Sequence, residues 1–169
     1  MSAQTSAAEF TLTSADIAEG EPIAEIYTFN GFGCAGGNVS PALSWSGAPP
    51  ETKSFALTCY DPDAPTGSGF WHWVAFNIPA SVAHLPRGAG DPKSPAAPKA
   101  VVQSRTDYGM TGYGGPCPPK GKPHHYVITV YALGVDKLDI DGNATPAVFG
   151  FYANAHALAK ATLVGLWGR

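Results

Sequence analysis

The stretch KSFALTCYDPDAPTGSGFWHWVAFNIP, residues 53–79, sets two strand-like runs on either side of a loop rich in proline and glycine. In each run apolar side chains recur at every second residue, which is the period of a β-strand. One face of the first run carries Phe55, Leu57 and Cys59. In the second run one face carries His72, Val74, Phe76 and Ile78, and the other carries Trp71, Trp73 and Ala75. We therefore predict two neighbouring antiparallel strands joined by this loop.

A third run, HHYVITVYAL at residues 124–133, has the same period. One of its faces carries His124, Tyr126, Ile128 and Val130, and the other carries Val127, Tyr131 and Leu133. Because both faces of the runs are largely apolar, they belong in the middle of a sheet that is covered on both sides. Weaker strand candidates are EFTLT (9–13), ALSWS (42–46) and AVVQS (100–104).

One helix is predicted, near the C-terminus. Thr145 suits the N-cap and Pro146 the first helical position, and apolar residues then recur at helical spacing through about Lys160. The tail TLVGLWGR either extends this helix or returns as a short strand. The chain of 169 residues is thus expected to be a mainly β protein with a single domain, residues 1–169.

Charge and hydropathy exclude two classes of partner. The net charge is -3 and the charged fraction is 14%, with no lysine or arginine cluster, which argues against nucleic-acid binding. The longest apolar run, Tyr126 to Val135, is far shorter than the roughly twenty residues of a membrane-spanning helix. The N-terminus MSAQTSAAEF lacks the order of a signal peptide. We expect a soluble, cytoplasmic protein, or a periplasmic one if a signal peptide has been removed.

The three cysteines show neither CxxC spacing nor a zinc-ligand register. Cys59 lies in a strand-like run and is expected to pack as a small apolar residue. Cys34 and Cys117 both lie in loops of glycine and proline, where an oxidising compartment would allow a disulfide bond. The loop context leaves their pairing open. No cofactor and no metal site is predicted.

Asp61 is the first candidate for chemistry, because it directly follows a predicted strand while Pro62 and Pro65 fix the turn around it. The alternative is that Asp61 and Asp63 only cap the turn by accepting backbone hydrogen bonds. His72 and His124 each open a strand. A single histidine on an apolar face is more often a hydrogen-bonded core residue, but antiparallel neighbours would bring both imidazoles to the end of the strand that carries Asp61.

The loop GYGGPCPPKGKPHH, residues 112–125, is a second candidate. Gly114 and Gly115 would let backbone N–H groups approach a bound group, and the prolines would stiffen the wall. Free N–H groups and imidazoles suit an anionic head such as phosphate or carboxylate. Such a loop is, in most proteins, only a connection.

Together, the segments YDPDAP, WHWVAFNIP and GYGGPCPPKGKPHHYVITVYAL, preceded by FGCAGGNVSPALSW, resemble the phosphatidylethanolamine-binding protein family, also called the Raf kinase inhibitor protein family, in its bacterial branch. The resemblance implies a β-sandwich with a large central antiparallel sheet, a smaller sheet and a C-terminal helix. It also implies a small pocket that binds phosphate-like anions and phospholipid head groups.

Carried over residue by residue, the resemblance places the ligand-binding positions on Asp61, His72, His124, Gly115, Cys117, Pro118 and Pro119. Supporting positions fall on Asp63, Pro65 and Tyr108. This chain departs from the family's usual H-R-Y, which reads His124-His125-Tyr126 here. The departure removes a permanent cation from beside the pocket.

The favoured function is therefore a non-enzymatic module that binds a small phosphate-containing or carboxylate ligand. A regulatory or inhibitory role toward a kinase or protease, through exposed loops at residues 79–99 and 105–123, and a homodimer are further expectations. The alternative is a metal-dependent or acid/base hydrolase that uses the same aspartate and histidines.

Overall fold

A computed structural model describes residues 8–169; residues 1–7, part of the stretch considered above for a signal peptide, lie outside it. In chain order the elements are β1 (Thr11–Thr13), a short 3₁₀ helix (Glu25–Tyr27), β2 (Asn30–Gly31), β3 (Cys34–Ala35), β4 (Leu43–Ser46), β5 (Ser54–Asp61), β6 (Phe70–Pro79), β7 (His84–Leu85), β8 (Val102–Gln103), β9 (His124–Leu133), α1 (Pro146–His156) and β10 (Ala157–Trp167).

The three runs with strong alternation form the inner strands of a five-stranded antiparallel sheet in the order β10-β9-β5-β6-β8. β5 lies at its centre, where Thr58 pairs with Val74 of β6 and with Thr129 of β9. A smaller sheet has the order β1-β4-β7, and β2 and β3 form a hairpin of their own. The predicted mainly β class, with a large central sheet and a smaller one, is confirmed.

Two hydrophobic clusters cover the two faces of the central sheet. The larger one joins side chains of the small sheet, such as Leu43 and Trp45, to Leu57 and Ile128 of the central sheet. The smaller one packs Phe149 of α1 against the opposite face. The layers are therefore small sheet, central sheet and helix, which explains why both faces of the inner strands are apolar.

The predicted faces of β6 are partly wrong, because two extra residues interrupt its pairing with β5. Cys59 pairs with Trp73 whereas Tyr60 pairs with Trp71, so His72 is an extra residue in β6. As in other β-bulges, this redirects the side chains beside it. Trp73 joins the larger cluster, whereas the ring of Trp71 packs against that of Tyr60 in a tilted arrangement.

The second irregularity lies at Asn77, whose φ of 57° falls in the left-handed region of backbone conformation. Phe55 pairs with Ile78 and Leu57 with Ala75, so β6 again has one residue more than β5. Consequently Ile78 belongs to the larger cluster, whereas Val74 and Phe76 belong to the smaller one. The prediction that these three side chains share one face is wrong.

The helix is shorter than predicted. It begins as expected, with Thr145 accepting a hydrogen bond from the N–H of Val148 and Pro146 in the first turn, but it ends at His156. Residues through Lys160 and most of the tail form β10, which pairs along the whole length of β9. The exposed edge of β9 offers backbone hydrogen bonds that a helix extension would leave unmade. Within residues 8–169 no helix has both the length and the apolar character needed to cross a membrane.

Candidate functional site

A cavity of about 150 Å³ lies where β5 ends and β6 and β9 begin. Antiparallel pairing brings these three strand ends together, as expected for Asp61, His72 and His124, and all three side chains line the cavity. The remaining lining residues are Phe32, Ala64, Pro65, Thr66, Phe70, Tyr108, Cys117, Pro118, Pro119 and Tyr126.

Asp61 is 2% exposed and uses both carboxylate oxygens. Oδ2 lies 2.7 Å from Nδ1 of His124, and Oδ1 accepts hydrogen bonds from the N–H groups of Asp63 and Ala64 at 2.8 and 3.1 Å. Asp61 thus caps the turn and also orients a histidine of the cavity. With Nδ1 of His124 donating to the carboxylate, Nε2 is the ring nitrogen left for a ligand.

His72 is 3% exposed, and its Nδ1 lies 2.7 Å from the carbonyl oxygen of Gly114. A carbonyl only accepts hydrogen bonds, so Nδ1 carries the proton and Nε2 is an acceptor in the neutral ring. Burial lowers the pKa of His72 below its ordinary value, against the opposing effects of the Gly114 carbonyl and the Asp61 charge. His72 is therefore a neutral imidazole at pH 7.

Tyr126 is a site residue that sequence reasoning missed. It is 1% exposed and lines the cavity, and within residues 8–169 its hydroxyl has no hydrogen-bond partner. Burial, with the Asp61 charge second, raises the pKa of this phenol, which keeps it protonated as a donor. A signal was available, because the alternation in β9 places Tyr126 on the same face as His124. An unpaired buried hydroxyl is costly unless a ligand or water satisfies it.

Aromatic side chains form the upper wall of the cavity. Tyr108, predicted as a supporting residue, donates a hydrogen bond from its hydroxyl to the carbonyl of Gly115 at 2.7 Å. Its ring stacks on Phe29 with centroids 4.1 Å apart and meets the ring of Phe70 edge-on at 4.9 Å. Phe32 and Phe70 were not predicted, since neither lies beside a polar residue that would have marked it.

Gly115 does not provide the ligand contact expected of it. Its N–H donates to Oδ1 of Asn38 at 2.8 Å, and the N–H of Gly114 donates to the carbonyl of His72 at 2.9 Å. Both groups are therefore committed to the protein. The predicted backbone cradle at these glycines is wrong, and the pair instead fixes the loop that carries Cys117, Pro118 and Pro119, which do line the cavity.

Asp63 supports the loop from outside the cavity. Its Oδ2 accepts hydrogen bonds from the backbone N–H and from Nδ1 of His125, both at 2.7 Å. These bonds lower the pKa of Asp63, the backbone bond having the largest effect. His125, which stands where the family pattern has arginine, thus holds the Asp61 turn against β9.

Cys34 and Cys117 form a disulfide bond that spans 83 residues of sequence. The sequence left this pairing open. The bond ties β3 to the cavity wall, since Cys117 is a lining residue. Cys59 is free and buried, and burial raises the pKa of its thiol to about 12. The disulfide-bonded sulfur of Cys117 and the buried thiol of Cys59 are therefore both poor nucleophiles.

Permanent cations are missing from this site. Among the described residues, no lysine or arginine lines the cavity. Arg169 lies nearby, but its Nε donates to the carbonyl of Pro118 at 2.6 Å. In the same part of the chain, no group of three or more histidine, cysteine, aspartate or glutamate side chains is arranged to hold a metal ion. The polar groups left for a ligand are the two imidazoles and the Tyr126 hydroxyl.

A layered β-sandwich with this strand-end cavity is the arrangement of a small ligand-binding domain, and the comparisons with known proteins agree. The family model for phosphatidylethanolamine-binding protein matches residues 13–168. This chain belongs to that family, as the resemblance of its motifs implied.

Its relatives include two bacterial proteins of similar size. The UPF0098 protein YbcL of Escherichia coli is 51% identical over 162 residues, covering 95% of this chain and 88% of the relative. The UPF0098 protein YbhB of the same organism is 47% identical over 156 residues, covering 92% of this chain and 98% of the relative.

Solved structures agree in fold. The crystal structure of Escherichia coli YbcL, described as a new member of the mammalian PEBP family, superposes with a TM-score of 0.94 at 50% identity, covering 96% of this chain and 99% of that one. A Chlamydia trachomatis homolog of phosphatidylethanolamine-binding protein gives a TM-score of 0.80 at 32% identity, with coverage of 97% and 99%. Membership of this family supports a ligand-binding role for the chain.

Proposed function

We propose that the protein binds a small molecule with a phosphate or carboxylate head, and that the head occupies the cavity at the ends of β5, β6 and β9. The observation that carries the proposal is the buried Tyr126 hydroxyl, which lines the cavity beside two imidazoles and has no partner within residues 8–169. A phosphate or carboxylate head has oxygen atoms that can accept a hydrogen bond from this hydroxyl.

The protonation state of the site restricts the anion further. In the free protein the neutral His72 presents Nε2 as an acceptor, as argued above from its hydrogen bond to Gly114. An anionic oxygen that faces Nε2 of the neutral His72 would be repelled by it, so the complex needs a proton on the ligand or on that imidazole. No lysine or arginine of the described chain lines the cavity to replace that proton. The site therefore favours a monoanion that carries its own proton.

Calorimetric titration with methyl phosphate between pH 5 and pH 8 tests this. Methyl phosphate loses its second proton at a pKa of about 6. Binding should be strongest below that pH and fall by about tenfold per pH unit above it, because one proton is then taken up. Sulfate carries no proton in this range, so its binding needs a proton from solvent to be added to His72, whose pKa is already lowered. Sulfate should therefore bind more weakly at every pH.

Two matched variants test whether methyl phosphate binds in the cavity or elsewhere on the protein. His72→Phe should weaken methyl phosphate binding by at least about tenfold, because it removes both ring nitrogens. His156→Gln, which changes an exposed histidine of α1, should leave it unaltered. No heat of binding for wild-type protein at millimolar methyl phosphate and pH 5 would overturn the proposal.

The proposal is a binding protein and not an enzyme. The disulfide at Cys117 and the buried Cys59 thiol support it, since no free sulfur nucleophile among the described residues faces the cavity. The hydrolase alternative has one observation in its favour, the 2.7 Å bond between Asp61 and His124, which would suit a general base. Release of methanol from methyl phosphate, followed by NMR, would favour that alternative.

A regulatory role toward a kinase or protease, a homodimer and the compartment stay predictions from the sequence. The loop at residues 105–123 lies against the cavity through Tyr108 and Pro118, so a bound ligand would lie next to any protein docked there. Ligand binding and partner binding would then influence each other.

A further inference from the structure

Phe32 occupies an unusual place in the turn of the β2–β3 hairpin. Gly31 pairs with Cys34, so the turn consists of Phe32 and Gly33, and both have positive φ, 51° and 84°. A two-residue turn of this kind favours asparagine, aspartate or glycine, because a side chain in the left-handed region is strained. Gly33 fits this rule and Phe32 does not. The turn itself therefore gives no reason for an aromatic residue.

The side chain of Phe32 is 73% exposed, although it is one of the largest apolar groups in the chain. It lies at the mouth of the cavity and lines it. Its ring packs against Phe29 at 5.5 Å and against Tyr108 at 5.6 Å between centroids. Phe29 and Tyr108 thus support one side of the Phe32 ring, and the rest of the ring is open to a ligand that enters the cavity.

The turn is fastened in this position from two sides. The Cys34–Cys117 disulfide joins the strand after the turn to the opposite wall. Arg169 donates from Nε to the carbonyl of Pro118 and from Nη1 to the carbonyl of Gly33, at 2.6 and 3.4 Å. Local strain that the surroundings hold in place is typical of functional sites.

Polarity divides the cavity into a floor and a mouth. The hydrogen-bonding groups of His72, His124 and Tyr126 lie at the strand ends, whereas the mouth is formed by Phe32, Phe70 and the prolines of residues 118–119. A bare anion would use the floor and leave the mouth empty. A head group with an apolar substituent would use both.

We propose that Phe32 is the specificity-determining residue of this site, and that it selects phosphate monoesters whose anionic head carries an apolar substituent. The inference rests on the proposed function, since the head must first occupy the floor. Free esters and lipid head groups share this chemistry.

The test compares methyl phosphate with n-butyl phosphate, which differ in apolar length and not in charge, by calorimetry at pH 5.5. Wild-type protein should bind n-butyl phosphate about tenfold more tightly, as expected for burial of the added methylene groups. Phe32→Asn should remove that preference, so that the two esters bind with similar affinity. Asparagine suits the left-handed turn, so the variant should unfold at a temperature no lower than wild type.

Phe151→Asn provides the control, because Phe151 is 77% exposed on α1 and does not line the cavity. It should retain the preference for n-butyl phosphate. Equal affinities of wild type for the two esters, or a preference that survives Phe32→Asn, would overturn the inference while the proposed function stands. Failure of wild type to bind either ester would overturn both.

Cosedimentation of the protein with phosphatidic acid vesicles distinguishes a lipid head group from a free ester as the ligand. Capture by vesicles that is lost in Phe32→Asn identifies a lipid head group. Binding of n-butyl phosphate in the calorimeter without capture identifies a free ester. Either result, accompanied by the Phe32 dependence, supports the inference.

Discussion

Asp61 holds the site together through three hydrogen bonds, two to the turn that follows it and one to His124. Its carboxylate is almost fully buried, whereas that of Asp63, two residues later, is 40% exposed. The two residues thus offer the same chemical group in the same loop at different depths. Electrostatic contributions grow as water is excluded, so the deeper carboxylate should matter more.

We predict that Asp61→Asn lowers the free energy of unfolding by about 2 kcal/mol, because the amide cannot accept from both the turn and His124 as the carboxylate does. Asp63→Asn should lower it by only about 0.5 kcal/mol, as for other exposed pairs. Urea denaturation at pH 7 measures both. Equal losses for the two variants would show that burial does not decide the strength of these bonds.

At the scale of residues, the sequence identified the groups that chain geometry brings together. Asp61, His72 and His124 stand at strand ends, and antiparallel pairing was enough to predict that they meet. Phe32 could not be found in this way, because it lies in a turn whose preferred residues are different. The role of Gly115 was misjudged for a related reason, since whether an N–H is free depends on a partner far away in sequence, here Asn38.

At the scale of elements, the loop at residues 112–119 depends on close backbone contact with the segment at residues 27–29. A Cβ atom added to Gly115 would lie 2.2 Å from the carbonyl oxygen of Tyr27 and 2.6 Å from the carbonyl carbon of Thr28. Both neighbours are backbone atoms and cannot rotate away. The glycine is therefore required for packing.

We predict that Gly115→Ala destabilises the protein by about 3 kcal/mol, since the two segments must separate to admit the methyl group. Gly67→Ala serves as the control, because nothing lies within 4 Å of the added Cβ at that position. It should change stability by less than about 0.5 kcal/mol. Thermal and urea denaturation measure both variants. A loss of stability in Gly115→Ala no larger than that in Gly67→Ala would contradict this account.

Element boundaries were harder to predict than element types. The inner strands were recognised because their two-residue alternation continues over long runs, but the bulges at His72 and Asn77 arise from how two strands align, which one strand's pattern does not contain. β10 was mistaken in part for helix, since small residues such as Ala157 and Ala159 satisfy either period. Pairing with the open edge of β9 decided the outcome.

At the scale of the whole molecule, the Cys34–Cys117 disulfide closes a segment that includes both central strands β5 and β6. Cross-linking across 83 residues restricts the unfolded chain strongly. It also joins a hairpin that lies outside both larger sheets to the cavity wall. Its contribution should therefore appear in global stability.

We predict that the double variant Cys34→Ser, Cys117→Ser loses about 4 kcal/mol of unfolding free energy relative to the oxidised protein. Reduced wild-type protein should show the same loss, whereas reductant should have no effect on the double variant. Guanidinium denaturation with and without reductant measures all three. An oxidised and a reduced wild type of equal stability would contradict the prediction.

The β2–β3 hairpin has a consequence for how such a protein is altered. The polar floor of the cavity is encoded in β5, β6 and β9, strands whose other side chains form the two hydrophobic clusters. One residue of the mouth, Phe32, lies in a two-residue turn that belongs to neither larger sheet. The proposed role of Phe32 therefore predicts that substitutions at this one position change the ligand preference while the residues of the two hydrophobic clusters stay as they are.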